Sequence, residues 1–124
     1  MNDIVNEEFV ERWIEALESG DYEQTTKVLH DEKGFCCLGV ATDIYQKDHD
    51  LEWKKTEFGY YCDRSLKGRG GEVLPEKVQL YIGAKSCNEF RDKCLSQMND
   101  NGASFTEIAQ VLREELEEYR NEIR

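Results

Sequence analysis

Apolar residues return every three or four positions along three long stretches of this chain, and that spacing predicts helices. Residues 6 to 19 set Phe9, Val10, Trp13, Ile14, Ala16 and Leu17 on one face and Glu7, Glu8, Glu11, Arg12, Glu15 and Glu18 mostly on the other. Asn6 is suited to cap the start of this helix and Gly20 to stop it. Trp13 lies in the apolar stripe, which favours a core role over a stacking platform for a ligand. A second helix begins near Cys36 and fades between Lys47 and Asp50. Leu38, Val40, Ala41, Ile44 and Tyr45 are expected to bury one face of it, with Phe35 packing as a lead-in. The third helix opens with Ser104 as cap and Glu107 three residues on, the two halves of a capping box. Phe105, Ile108, Ala109, Leu112 and Leu116 form its inner face, and the mostly charged tail from Arg113 to Arg124 is expected to project or fray.

The intervening segments have shorter patterns. Tyr22, Val28 and Leu29 are burial candidates in a stretch that fits either a short helix or a turn followed by a strand. His30 to Gly34 reads as a polar turn. From Leu51 to Leu74 the residues Leu51, Trp53, Phe58, Tyr60, Tyr61 and Val73 stand among glycines and charges. They predict a small antiparallel sheet of two or three short strands. Lys67-Gly68-Arg69-Gly70-Gly71 is expected to be a flexible loop. Leu74-Pro75 opens a short helix with proline at the first helical position, and Gly83 should end it. Ser86 to Met98 is read as a further helix burying Phe90, Cys94, Leu95 and Met98. Asn99 to Gly102 is a turn signal. The fold expected is α+β, a single compact, mainly helical domain over residues 1–124, with four or five helices around a small antiparallel β-sheet.

Composition narrows the function classes. No apolar run approaches the ~20 residues of a membrane span, and the N-terminus lacks the regions of a signal peptide. A cytoplasmic protein without membrane contact is expected. The five cysteines show no disulfide-framework spacing and are expected to be reduced. A net charge of −11 argues against direct nucleic-acid binding, which draws its affinity from Lys and Arg on phosphates. It allows either simple solubility or attraction to a basic partner, including imitation of the charge of DNA.

Candidate chemistry centres on Cys36 and Cys37. A thiol at a helix N-terminus is acidified by the helix dipole. Cys37-x-Gly39-Val40-Ala41 followed by Tyr45 also resembles the nucleophile helix of papain-like cell-wall peptidases. Such chemistry needs an imidazole. His49 lies about three turns beyond the cysteines, so His30 is the one base that a folded-back turn could supply. No Cys-x-x-Cys pair supports a metal site, and no cofactor is expected. Asp43, inside the apolar second helix, needs a donor such as Lys, Arg or a backbone N–H, with ligand contact as the other reading. The glycine-rich loop with Arg64, Lys67 and Arg69 is one of the few basic spots, although it lacks phosphate-loop spacing. Trp53, Tyr60 and Tyr61 are candidate aromatic contacts, and Asn99-Asp100 a candidate binding loop.

Four phrases together carry a resemblance. They are Trp13-x-x-Ala16-Leu17-x-Ser19-Gly20-x-Tyr22-x-Gln24, Phe35-Cys36-Cys37-Leu38-Gly39-Val40 with Asp43, Leu74-Pro75, and Met98-Asn99-Asp100-x-Gly102-x-Ser104-Phe105 with Ile108-Ala109. In order and spacing they resemble a family of small uncharacterised proteins encoded largely by bacteriophages and prophages. The resemblance carries no catalytic residues; it implies a phage context, in which small proteins bind host factors or host signalling molecules. The leading expectation is therefore a non-enzymatic protein that binds a host protein or a small host-derived ligand. A cysteine hydrolase and an acidic DNA mimic are the alternatives.

Overall fold

Helix α1, Glu7–Ser19, starts and stops as its end residues dictate. The Asn6 side chain accepts the Phe9 N–H at 3.1 Å, and Gly20 takes the left-handed conformation, with φ of 82°. The computed structural model describes residues 4–67 and 71–123. Phe9, Val10, Trp13, Ile14 and Leu17 are buried, as the periodicity requires, and Trp13 has no exposed surface. Burying side chains of this size contributes about 1.5–3 kcal/mol each.

Helix α5, Phe105–Glu122, opens with the capping box of Ser104 and Glu107. Its second half neither projects nor frays. Leu116 and Tyr119 extend the apolar stripe to the far end, and the Tyr119 hydroxyl accepts the Val5 N–H at 3.2 Å. α5 runs antiparallel along α1. Arg113 pairs with Glu18 at 2.7 Å, and Arg120 reaches Glu7 at 2.7 Å and also Glu11. Those charges read as a solvated tail because their partners lie about a hundred residues away.

Helix α2, Cys37–Asp48, is buried on every side from Cys37 to Gln46, not along one face. It is the central rod of the fold. The segment from Tyr22 to Cys36 crosses it as irregular chain, tied by the Phe35 N–H to Glu23 O and the Thr25 N–H to Phe35 O. Gly39 permits the crossing, since a Cβ there would overlap the Leu29 carbonyl.

Among the described residues the strands form two separate hairpins. Strands β1, Lys54–Thr56, and β2, Gly59–Tyr61, pair antiparallel with Lys55 opposite Tyr60. A 3₁₀ turn, Arg64–Leu66, follows. Helix α3, Glu76–Ile82, has Pro75 as its cap, one residue earlier than expected, and ends at Gly83 with φ of 83°. The helix expected over Ser86 to Met98 is replaced by hairpin β3, Glu89–Phe90, and β4, Lys93–Cys94, followed by a short helix α4, Leu95–Asp100. Arg91 turns that hairpin with φ of 55°. Its guanidinium bonds Glu115 Oε1 at 3.3 Å and also Glu122, while Phe90 meets Trp13 edge-on. Long-range contacts of the hairpin override the helical spacing. The result is a compact α+β domain of five helices and two small hairpins among the described residues.

Candidate functional site

The two adjacent cysteines sit at the N-terminus of α2, and burial decides their chemistry. Cys36 is the N-cap, its sulfur accepting the Gly39 N–H at 3.4 Å. Cys37 is fully enclosed, with its sulfur 3.6 Å from Leu95 O. Desolvation pushes the Cys36 thiol from an ordinary 9.0 up to about 11, against smaller opposing contributions from backbone N–H groups. Desolvation raises Cys37 well above its ordinary value too. A thiolate nucleophile requires the reverse shift. His30, the expected base, is engaged elsewhere: Nδ1 lies 2.7 Å from Gly34 O and the ring stacks on Phe35. Folded protein at neutral pH should therefore leave Cys36 and Cys37 unalkylated by iodoacetamide. Half-buried Cys62, Cys87 and Cys94 should label first, as mass-spectrometric mapping would show. Selective fast labelling of Cys36 would reinstate the nucleophile. The same raised pKa makes Cys36 a source of stability that is complete below pH 9 and lost as pH climbs through about 11.

A ring cluster gathers around His30 and Phe35 of the crossing segment. His30 stacks on Phe35 with centroids 3.9 Å apart and planes within 2°. Tyr60 from β2 lies 4.2 Å from His30, Trp53 lies 5.1 Å from it, and Tyr22 meets Phe35 edge-on at 5.1 Å. Five rings from two stretches of chain, one before α2 and one after it, thus converge, all of them half-buried. Asp43 anchors the cluster to α2. Its carboxylate accepts the Tyr22 hydroxyl at 2.5 Å and the Trp53 indole N–H at 2.9 Å, and pairs with Lys47 at 2.9 Å. The expected Lys donor is present, together with two aromatic donors. Burial first, then the bond to Asp43, raises the Tyr22 hydroxyl far above its ordinary value and keeps it a donor.

Two surface grooves flank the Trp53–His30 contact. One, about 490 Å³, is lined by Asp43, Lys47, Asp50, Leu51, Glu52 and Trp53. The other, about 360 Å³, runs past His30, Asp31, Tyr60, Tyr61 and Glu72 beneath the tip of the β1–β2 hairpin. Phe58 at that tip is 81% exposed, and Tyr61 is also exposed.

The remaining candidates separate from this surface. Arg64 and Lys67 are exposed on and after the 3₁₀ turn and line neither groove. Arg69 and the middle of the glycine-rich loop lie outside the described residues. Of the turn expected over Asn99 to Gly102, Asn101 and Gly102 form a turn, while Asn99 and Asp100 are the end of α4. Asn99 is completely buried, and its amide is spent on Cys37 N–H, Gln24 and Thr25 O. Asp100 accepts the N–H of Lys27, whose φ is 71°. Both tie the fold together. No group of three or more potential metal ligands occurs among the described residues. Sequence reasoning missed Tyr22 and Phe35 as members of the cluster, and weighed His30 as a base instead of an aromatic ring. The mix of Tyr22, Phe35, Trp53 and Tyr60 was visible, but nothing local showed that they meet.

The model of a family described as Domain of unknown function (DUF8296) matches residues 5–116. The chain belongs to that family. The DUF8296 span contains all five rings of the cluster, Asp43 and both grooves' lining residues, and ends within α5. No curated protein and no solved structure matches the chain. No helix among the described DUF8296 residues is long and apolar enough to cross a membrane.

Proposed function

We propose that this protein is a non-enzymatic binding protein of phage type, acting in the cytoplasm of a bacterial host. The face around Trp53, His30 and Tyr60 meets a host protein in this reading. One observation carries it: a preformed aromatic cluster, held by a buried Asp43, borders two open grooves and an exposed Phe58. Aromatic rings at a surface supply contact area at small entropic cost, and they are enriched where proteins bind. The buried thiols support binding over hydrolysis, because neither is poised to ionise. The acidic-mimic alternative has less support. Glu7, Glu11 and Glu18 on α1 are already paired with Arg120 and Arg113 of α5.

The test is site-directed photo-crosslinking in living bacteria. With p-benzoylphenylalanine in place of Phe58, one discrete adduct with a host protein is expected. The same group in place of exposed Glu114 on α5 should give none. Equal adducts from both positions, or none from position 58, would remove this face from consideration.

A further inference from the structure

The second groove has a chemistry of its own, and its role as a receptor rests on the binding function proposed for this face. Its ionised lining consists of Asp31 and Glu72, and no Lys or Arg lines it among the described residues. Burial pushes Asp31 upward, but hydrogen bonds from Thr25 and the Lys33 and Gly34 N–H groups outweigh this and hold the carboxyl below its usual range. Aromatic rings and carboxylates at one groove form a receptor for a cation, since ring faces and anions attract the same charge.

A cation already stands beside this groove, on one of its rings. The Lys55 ammonium stands 5.6 Å over the Tyr60 ring and pairs with Glu32 at 2.6 Å. That pair is loosely held: the side chains are 62% and 70% exposed. An exposed ion pair contributes little stability and is easily exchanged. A guanidinium is better suited to this position, because it is planar, stacks on rings and bridges carboxylates with two parallel N–H bonds.

We infer that the groove between the β1–β2 hairpin and the His30–Asp31 segment accepts an arginine side chain of a basic partner segment, and that Lys55, beside the groove, competes for the Tyr60 ring in the unbound protein. The partner's guanidinium lies against Tyr60 beside the carboxylates of Asp31 and Glu72, and the Lys55 ammonium swings away from that ring into solvent. The net charge of −11 draws such a segment in from a distance.

The experiment uses the intact chain and Nα-acetyl-arginine amide as probe, followed by amide chemical shifts at constant ionic strength. A probe of this size is expected to bind with a dissociation constant on the order of 1 mM. Shifts should concentrate at His30, Asp31 and Gly59–Tyr61. The neutral isostere, Nα-acetyl-citrulline amide, should leave them unmoved. Lys55→Ala should tighten the arginine probe roughly threefold or more, as expected when an internal competitor is removed. Lys77→Ala, which removes one positive charge from α3, should not. Equal shifts with citrulline, shifts spread along α1 and α5, or equal effects of the two lysine substitutions would overturn the inference. Adduct formation at position 58 alongside a silent arginine probe would discard the arginine site and leave the binding face standing.

Discussion

Asn99→Ala is expected to lower the unfolding free energy by about 4 kcal/mol, the cost of stranding a buried N–H and a buried carbonyl. Asn99 Oδ1 accepts the Cys37 N–H at 3.1 Å, and Nδ2 donates to Thr25 O at 2.8 Å. Cys37 is the first residue of α2, and a helix leaves its first N–H groups without internal partners. A side chain from α4, 62 positions away, therefore caps the central helix and fastens the crossing segment with the same amide. Alanine satisfies neither group, and the site is closed to water. Gln24→Ala is the control. Gln24 is exposed and also donates to Ala103 O at 2.8 Å, so its loss should cost about 1 kcal/mol or less. Urea denaturation of both variants makes the comparison. A loss near 1 kcal/mol for Asn99→Ala would show that the amide does not cap the central helix.

The second large effect is a reversal of sign. In an exposed helix, replacing glycine with alanine stabilises by about 1 kcal/mol. Gly39→Ala should instead destabilise by roughly 3 kcal/mol, at the upper end of overpacking costs. The new Cβ would overlap the Leu29 carbonyl oxygen and lie 2.7 Å from its carbon. This is backbone in the crossing segment, and the same oxygen accepts the Cys36 N–H at 3.1 Å. The clash cannot be relieved by turning a flexible side chain. Displacing residues 29–36 should also separate His30 and Phe35 from Tyr60 and Trp53. The near-ultraviolet circular dichroism of the ring cluster should then weaken even where the variant remains folded. Unchanged or raised stability would mean that the crossing is looser than these distances imply.

Both substitutions act on the contact between α2 and the irregular segment before it, and that contact also assembles the candidate site. Tyr22, His30 and Phe35 lie on the segment, Asp43 on the helix, and Trp53 and Tyr60 on the chain that follows it. Stability and site geometry are therefore coupled in this fold: what loosens the crossing should also disperse the rings.

Local signals determined the helices. Asn6 and Gly20 bound α1, Ser104 and Glu107 open α5, and Gly83 ends α3, because capping uses residues only a few positions apart. The apolar stripes of α1 and α5 carried their buried faces for the same reason, since a helix repeats every 3.6 residues whatever surrounds it. Tertiary structure decided the rest. The stretch around Phe90 and Cys94 has helical spacing, yet strands of two residues are too short to show alternation. Contacts from Arg91 to α5 and from Phe90 to Trp13 select the hairpin. Asp43 announced from the sequence that it needed donors, but only folding brought Tyr22 and Trp53 to it. Cys36 and Cys37 carry the same sequence pattern whether exposed or enclosed; close packing around α2 raises their pKa values. Periodicity and caps are properties of neighbours in the chain. Burial, ring stacking and charge pairing belong to neighbours in space.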